Sequence, residues 1–169
     1  MNWPARLPLI AILRGIRPDE SLAHVHALVD TGFDAIEIPL NSPEWSLSIR
    51  DAVSAFGEHA LIGGGTVLTE ADADALADIG ARLVVTPNTR PATIAQAVRR
   101  GTYVVAGFAT ASEAFAAIEA GAHALKLFPA ATYGPAHVSA LRAVLPARPM
   151  FAVGGITPTN LADFLRAGC

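Results

Sequence analysis

Short apolar runs and alanine-rich amphipathic stretches alternate along this chain seven times. The apolar runs have the length and composition of buried strands, and the stretches between them have helical spacing. The pattern predicts strands at residues 7–13, 33–38, 61–67, 82–86, 103–106, 122–128 and 150–153. It predicts helices at residues 18–30, 43–56, 69–79, 91–100, 111–120, 135–144 and 158–167.

Repeated βα units build either an open doubly wound sheet or a closed barrel. No Gly-x-Gly-x-x-Gly pattern follows the first predicted strand, which disfavours a dinucleotide-binding sheet. Polar residues stand at the C-terminal ends of nearly all strands, where barrel enzymes assemble their active sites. We therefore predict an α/β fold, a (β/α)8 TIM barrel, as a single domain over residues 1–169. Because only seven βα units fit, we expect a truncated barrel in which the C-terminal eighth unit is missing.

Composition narrows the class of protein further. The chain is 52% hydrophobic and 16% charged, with a net charge of −3 and no cluster of lysine or arginine, which argues against a nucleic-acid partner. The apolar runs are too short to span a membrane, and the N-terminal residues lack the basic region, apolar core and cleavage site that are typical of a signal peptide. The one cysteine, Cys169, excludes an internal disulfide. Together these features predict a cytoplasmic protein with no membrane association.

Lys126 is the residue with the clearest chemical meaning. It lies in an apolar run beside Leu125, Leu127 and Phe128, which predicts a buried strand. Burial disfavours the charged form of lysine, and a neutral amine is a nucleophile toward ketones. Schiff-base chemistry is therefore one interpretation. The other is a strand-end lysine that extends its amine to water.

Strand alternation places two more charged residues beside Lys126 in a barrel. If Ile36 and Ile38 point outward to the helices, Glu37 points into the lumen, and Arg14 ends the first strand in the same way. Taken singly, Glu37 could cap a helix or form an ion pair, and Arg14 could be a surface residue. Their joint occurrence at equivalent strand ends favours an active site.

Glycine-rich segments suggest where anions bind. Gly154 and Gly155 follow the seventh strand and open a helix, a position where barrel enzymes bind phosphate, although a tight turn also requires glycine. The run 63–65 leaves room in the lumen beside Thr66, whose hydroxyl could bind a carboxylate. Pro87 ends the fourth strand and shapes a wall of the site. No spacing of histidines or carboxylates indicates a metal site, and no Ser-His-Asp set is suggested.

Several motifs together resemble a known family. Residues 121–134, GAHALKLFPAATYG, look like the Schiff-base lysine signature of the KDPG/KHG aldolase family, and residues 32–38, GFDAIEI, resemble its glutamate signature. Segments 11–15, 65–67, 86–88 and 152–156 match in the same order. The resemblance covers essentially the whole chain and implies the barrel fold.

One segment departs from the gluconate-type members of the family. Where those members follow the glutamate with an apolar residue, threonine, a large apolar residue and arginine, residues 37–43 here read EIPLNSP. This version resembles the branch of the family that acts on 2-dehydro-3-deoxy-6-phosphogalactonate. That substrate differs from the gluconate form in the configuration of the C4 hydroxyl. We expect the changed loop beside Glu37 to recognise the configuration of the C4 hydroxyl.

The resemblance implies a class I aldolase that needs no metal or cofactor and releases pyruvate and D-glyceraldehyde 3-phosphate. It implies a phosphorylated keto-acid substrate and a homotrimer. Lys126 would form the imine and Glu37 would move protons. The substrate-binding residues would be Arg14 and Thr66 at the carboxylate, Gly154 and Gly155 at the phosphate, and Pro87 and Phe128 along the pocket.

Three alternatives remain at this point. The protein could prefer the gluconate epimer or 4-hydroxy-2-oxoglutarate. It could be a phosphate-binding barrel isomerase that uses Glu37 without an imine, or a truncated homologue without catalytic activity. Without an eighth unit, the 169-residue chain is expected to be poorly stable and weakly active.

Overall fold

The computed structural model describes residues 3–169. Within them, seven parallel strands are hydrogen-bonded in chain order. The strands are β1 (Ala11–Ile12), β2 (Ala35–Pro39), β3 (Leu61–Gly65), β4 (Leu83–Val85), β5 (Tyr103–Phe108), β6 (Ala124–Leu127) and β7 (Met150–Ala152). The helices are α1 (Pro18–Asp30), α2 (Trp45–Phe56), α3 (Glu70–Asp78), α4 (Pro91–Arg99), α5 (Ala111–Glu119), α6 (Ala130–Arg142) and α7 (Leu161–Ala167).

The sheet curls into an open barrel with helices outside, which confirms the predicted α/β fold of seven βα units. Outward-facing aliphatic side chains bind the helices to the sheet. Ile36 packs with Val25 of α1 and Ala52 of α2, and Ile38 belongs to the larger apolar cluster that includes α3 and α4. The sheet begins at β1 and ends at β7, and these two strands are not paired with each other.

Side-chain caps explain why several helices begin where the sequence predicted. The Thr69 hydroxyl accepts a hydrogen bond from the Asp72 backbone N–H, and the Asp72 carboxylate accepts one from the Thr69 N–H. Thr110 and Glu113 form the same reciprocal pair at the start of α5. Each pair satisfies backbone donors that have no partner inside the helix.

The predicted first strand, 7–13, is too long. The strand covers Ala11–Ile12, and the Leu13 N–H still donates to the Glu37 carbonyl (2.9 Å). The chain that enters the predicted strand is bound to a side chain instead of a strand. The Asp34 carboxylate accepts hydrogen bonds from the backbone N–H groups of Arg6 (2.7 Å) and Leu7 (3.3 Å). These bonds and the Arg6 guanidinium hold the pKa of Asp34 below its ordinary value, despite the opposing effect of burial.

The predicted starts of three helices are also wrong. Helix α6 begins at Ala130 and not at 135, because a kink at Gly134 (φ 75°) separates its first turn from the segment that the pattern detected. Helix α2 begins at Trp45, after Glu44 in a left-handed conformation (φ 43°). Helix α7 begins at Leu161, because the Asn160 side chain closes a turn by accepting from the Thr157 N–H.

Aromatic rings fill the N-terminal half of the lumen. Trp3 packs edge-on against Tyr103 (centroids 5.4 Å apart) and Phe151 (4.9 Å), and Tyr103 stacks on His123 (4.8 Å). We call these four residues the aromatic plug. Aliphatic side chains of β4, β5 and β6 pack with it in one cluster. Across residues 3–169, none of the helices has the length and apolarity needed to cross a membrane.

Candidate active site

Lys126 and Glu37 line the same cavity in the lumen. Lys126 lies on β6 and is 7% exposed, and Glu37 lies on β2 and is 2% exposed. The cavity has a volume of about 130 Å³, and its other walls are almost entirely apolar, including Val85, Val105 and Phe151. It extends to the space between β1 and β7, beneath α7. Both charged side chains thus face inward, as strand alternation predicts.

The pKa values of these two groups are shifted toward each other. Burial lowers the pKa of Lys126, and the nearby charge of Arg14 lowers it as well, while Glu37 opposes both effects. Burial raises the pKa of Glu37 to about 7, against the charges of Lys126 and Arg14. A group that gives and takes protons at neutral pH therefore stands in the same apolar cavity as an amine with a reduced tendency to hold its proton.

A glycine makes room for the Glu37 carboxylate. A Cβ built on Gly65 would overlap that carboxylate and would lie 3.0 Å from Oε1. The Oε2 atom is buried and has no hydrogen-bond partner among the described residues. Sequence reasoning assigned the glycine run to the space beside Thr66. It did not detect that Gly65 defines the position of Glu37, which lies on the neighbouring strand.

Arg14 lies at the C-terminal end of the barrel, just after β1. Its Nη1 donates a hydrogen bond to Asn41 Oδ1 (3.0 Å). The guanidinium is exposed, yet its charge acts on the pKa values of both Lys126 and Glu37, so it lies within electrostatic reach of the cavity. A cation in this position suits an anionic group of a bound ligand.

Thr66 has an unusual backbone conformation. Its φ is 56°, in the left-handed region that β-branched residues rarely adopt. This conformation ends β3 at Gly65, so the predicted strand 61–67 is two residues too long. Such backbone strain is concentrated at functional sites in proteins, which is a physical reason to test the hydroxyl for ligand binding.

Phe128 lies close to Lys126, whereas Pro87 lies against the residue that pairs with Lys126 in the sheet, and neither of them is among the residues that line the cavity. The backbone of Pro87 rests against Gly107, where a Cβ would come within 2.5 Å of the Pro87 carbonyl oxygen. Gly107 in turn pairs with Lys126 in the sheet. The Phe128 ring centroid lies 5.5 Å from Lys126 Nζ, and the ring is 40% exposed.

Gly154 and Gly155 form a turn against the start of α6. Both have positive φ (92° and 75°), so an L side chain would be strained at either position. The Gly154 carbonyl accepts a hydrogen bond from the Ala131 N–H (3.0 Å), and a Cβ on Gly154 would lie 3.3 Å from the Phe128 ring. The predicted phosphate loop is therefore next to the wall of the lysine cavity.

No group of three or more His, Cys, Asp or Glu side chains within residues 3–169 is arranged to hold a metal ion. The ionisable groups that converge in the barrel are Lys126, Glu37 and the more exposed Arg14.

Known proteins share this arrangement of chain and strands. The chain is 58% identical to 2-dehydro-3-deoxy-6-phosphogalactonate aldolase of Escherichia coli strain K12, over 100% of this chain and 83% of that protein. A solved structure of native KDPGal superposes with a TM-score of 0.98 at 58% identity, over 100% of this chain and 82% of the other. A designed, cube-shaped protein cage made by fusing symmetric oligomeric domains matches with a TM-score of 0.95 at 59% identity. That match covers 97% of this chain and 61% of the cage chain.

The family model for KDPG and KHG aldolase matches residues 3–169, which include the lysine, the glutamate and both glycine-rich segments. On this match and on the identity to the Escherichia coli aldolase, the chain belongs to the KDPG and KHG aldolase family.

Proposed function

We propose that this protein is a class I aldolase that cleaves 2-dehydro-3-deoxy-6-phospho-D-galactonate to pyruvate and D-glyceraldehyde 3-phosphate. The observation that carries the proposal is the buried pair of Lys126 and Glu37, whose pKa values burial shifts in the directions that imine chemistry needs. The identity to the Escherichia coli galactonate-type aldolase supports the choice of substrate.

The first step joins Lys126 to the substrate. The neutral Nζ attacks the C2 ketone and forms a carbinolamine. Glu37, protonated near neutral pH, gives a proton to the departing C2 hydroxyl, which leaves as water. The product is a protonated imine, which draws electrons from the neighbouring carbon–carbon bond.

The second step breaks the C3–C4 bond. The Glu37 carboxylate takes the proton of the C4 hydroxyl, directly or through water, and the C4 oxygen becomes the aldehyde of D-glyceraldehyde 3-phosphate. The bonding electrons move to C3 and form an enamine. Glu37 then protonates C3, and water hydrolyses the resulting imine to release pyruvate and free Lys126. One carboxyl thus serves as acid and base in turn, which suits a pKa of about 7.

The remaining residues bind the substrate in this proposal. Arg14 and Thr66 hold the carboxylate at the pyruvate end, and Arg14 has the fork of donors that suits it. Gly154 and Gly155 receive the phosphate with their backbone N–H groups. Pro87 and Phe128 contact the substrate near Lys126.

The gluconate epimer is the second candidate substrate. The segment Pro39–Pro43 favours the galactonate form, because it differs from the gluconate-type sequence next to Glu37. Measurement of kcat/KM for both C4 epimers distinguishes the two. We expect a clear preference for the galactonate epimer, and equal values would remove the support for that assignment.

Trapping with pyruvate and borohydride tests the reaction itself. Reduction of the imine should leave a pyruvate-derived adduct on Lys126, visible as a mass increase and localised by peptide mapping. Lys126→Met should form no adduct while it keeps the fold. If the folded, unmodified protein gives no adduct, the aldolase proposal fails, and an isomerase or a non-catalytic homologue becomes the better interpretation.

We further propose that the protein is a homotrimer and acts in the cytoplasm, where anionic sugar phosphates are retained. Large apolar side chains are exposed on the single chain, among them Val144 (61%), Leu165 (48%) and Leu68 (46%). The match to a cage built from symmetric oligomeric domains also supports assembly. Light scattering coupled to gel filtration should give three times the chain mass, and a monomer at micromolar concentration would contradict the proposal.

A further inference from the structure

Two side chains of one loop hold another loop at the rim of the barrel. Asn41 and Ser42 follow β2, and Arg14 and Gly15 follow β1. Arg14 Nη1 donates to Asn41 Oδ1 (3.0 Å), and the Gly15 backbone N–H donates to Ser42 Oγ (2.9 Å). Ser42 is 5% exposed, whereas Asn41 and Arg14 are exposed. We call Asn41 and Ser42 the latch.

The latch fixes Arg14 without cancelling its charge. Within residues 3–169, Arg14 takes part in none of the ion pairs, although Arg6, Arg17 and Arg50 each do. Its side-chain partner is a neutral amide oxygen. A carboxylate in the place of Asn41 would hold the guanidinium equally well but would neutralise it. The charge of Arg14 therefore remains available for an anionic ligand.

The geometry of the guanidinium allows both contacts at once. It has five N–H donors, and the bond to Asn41 uses one of them, so the others can bind a carboxylate through two parallel hydrogen bonds. An exposed arginine without a partner samples many rotamers, and ordering it on binding weakens the affinity for the ligand. The latch removes part of that loss, because Asn41 holds the head group and Ser42 holds the backbone next to it.

We propose that Asn41 and Ser42 are positioning residues that orient Arg14 for the carboxylate of the keto-acid substrate. This inference rests on the proposed aldolase function and deepens it. It assigns to the segment after Glu37 an effect on the C1 end of the substrate, in addition to any contact at C4.

The pyruvate concentration that gives half the maximal rate of borohydride trapping measures the effect of the latch. Pyruvate is a suitable probe, because it has the carboxylate and the ketone of the substrate but no phosphate. Asn41→Ala should raise the half-saturating pyruvate concentration about 2- to 10-fold, the cost of ordering one long side chain on binding, with an unchanged limiting rate. Asn41→Asp should raise it further, because its carboxylate competes with pyruvate for Arg14. A value for Asn41→Asp at or below that of Asn41→Ala would contradict the argument from charge.

A double-mutant cycle shows whether Asn41 acts through Arg14. In an Arg14→Ala background, the further change Asn41→Ala should have no effect on half-saturation. If the two substitutions raise the half-saturating pyruvate concentration by independent factors that multiply, the proposal is overturned. It is also overturned if Asn41→Ala lowers the limiting rate and leaves the half-saturating concentration unchanged. Ser46→Ala, at an exposed position early in α2, is the matched control and should resemble the unmodified protein.

Ser42→Ala tests the second half of the latch. It should raise half-saturation in the same direction as Asn41→Ala, and its thermal unfolding shows whether the buried change also affects stability. Equal half-saturation in Ser42→Ala and the unmodified protein would remove Ser42 from the proposal. If the unmodified protein forms no adduct at all, the aldolase function fails, and that outcome is distinct from failure of the latch.

Discussion

The two halves of the barrel lumen are built from the same strands and yet have opposite chemistry. Toward the N-terminal end, the aromatic plug and the aliphatic side chains around it fill the space. Toward the C-terminal end, Lys126 and Glu37 face a cavity with apolar walls. On β6, two successive inward-facing residues belong to different halves, since Ala124 lies in the filled half and Lys126 in the open half.

The comparison shows that burial has different effects in the two halves. Packing in the plug gains stability, because apolar groups leave water and the ring of Trp3 meets those of Tyr103 and Phe151 edge-on. The same burial costs stability at Glu37 at neutral pH, above the ordinary pKa of a glutamate, since it raises the pKa of the carboxyl to about 7. The raised pKa of Glu37 thus comes from walls that are as apolar as the core below them.

Substitution of Glu37 should affect activity most among the changes considered for this comparison. Glu37→Gln keeps the shape of the side chain but removes its proton transfer, and we expect kcat to fall about 10²- to 10⁴-fold. The negative charge of Glu37 raises the pKa of Lys126, so its removal should lower that pKa further. Adduct formation with pyruvate should therefore extend to lower pH. Asp19→Asn, a surface carboxylate change on α1, is the control, and equal kcat in both variants would remove Glu37 from the mechanism.

A methyl group at Gly65 should displace the carboxylate without removing it. Because a Cβ there overlaps Glu37, Gly65→Ala should lower kcat about 10²-fold, the effect expected of a misplacement by roughly 1 Å. Gly64→Ala is the matched control, since its Cβ would point outward toward Leu40 and Leu76. It should lower the unfolding temperature and leave the pH dependence of kcat unchanged. Equal pH profiles for the two variants would contradict the role assigned to Gly65.

Arg14 offers a test through pH. Its positive charge lowers the pKa values of both Lys126 and Glu37, so Arg14→Gln should raise both and move the pH–rate profile to higher pH. The half-saturating pyruvate concentration should rise about 10- to 100-fold, because a hydrogen-bonded charge is lost. Arg50→Gln, on the outer helix α2, serves as the control. A profile that stays in place would show that the arginine is electrostatically remote from the pair.

Substitutions in the aromatic plug should change the free energy of unfolding and not kcat, and the change at Tyr103 should be small. Its hydroxyl is buried and has no hydrogen-bond partner within residues 3–169, and burial raises its pKa to about 12. Tyr103→Phe should leave kcat unchanged and alter the free energy of unfolding by at most about 1 kcal/mol, in the stabilising direction. A lower kcat in Tyr103→Phe would contradict the functional separation of the two halves.

Thr86→Val, just after β4, should instead lower the free energy of unfolding by about 1–3 kcal/mol, because the Thr86 hydroxyl accepts from the Gly107 N–H and donates to the Asn88 carbonyl.

Period-2 alternation was enough to predict the inward direction of Lys126 and Glu37 from the sequence. Each side chain belongs to a strand of four or five residues, and a strand has only two faces. Helix α1 also begins and ends where the sequence predicts, since Pro18 and the acidic first turn mark its start. Local patterns succeed where the cause of the structure is itself local.

Contacts between distant segments could not be read in the same way. The pairing of Arg14 with Asn41 and the overlap of Gly65 with Glu37 depend on how neighbouring strands and loops are placed side by side. The short β1 has a similar cause, because Asp34 binds the chain that precedes it. A side chain that replaces a strand leaves no periodic signal in the sequence.

The space at Gly65 also bears on how homologous sequences can vary. A side chain at position 65 and a carboxylate at position 37 compete for one volume, so the two positions are not free to change independently. A homologue with a larger residue at 65 should carry a shorter or differently placed acid at 37. Covariation between these two alignment columns would then record the packing of a buried carboxylate against the neighbouring strand.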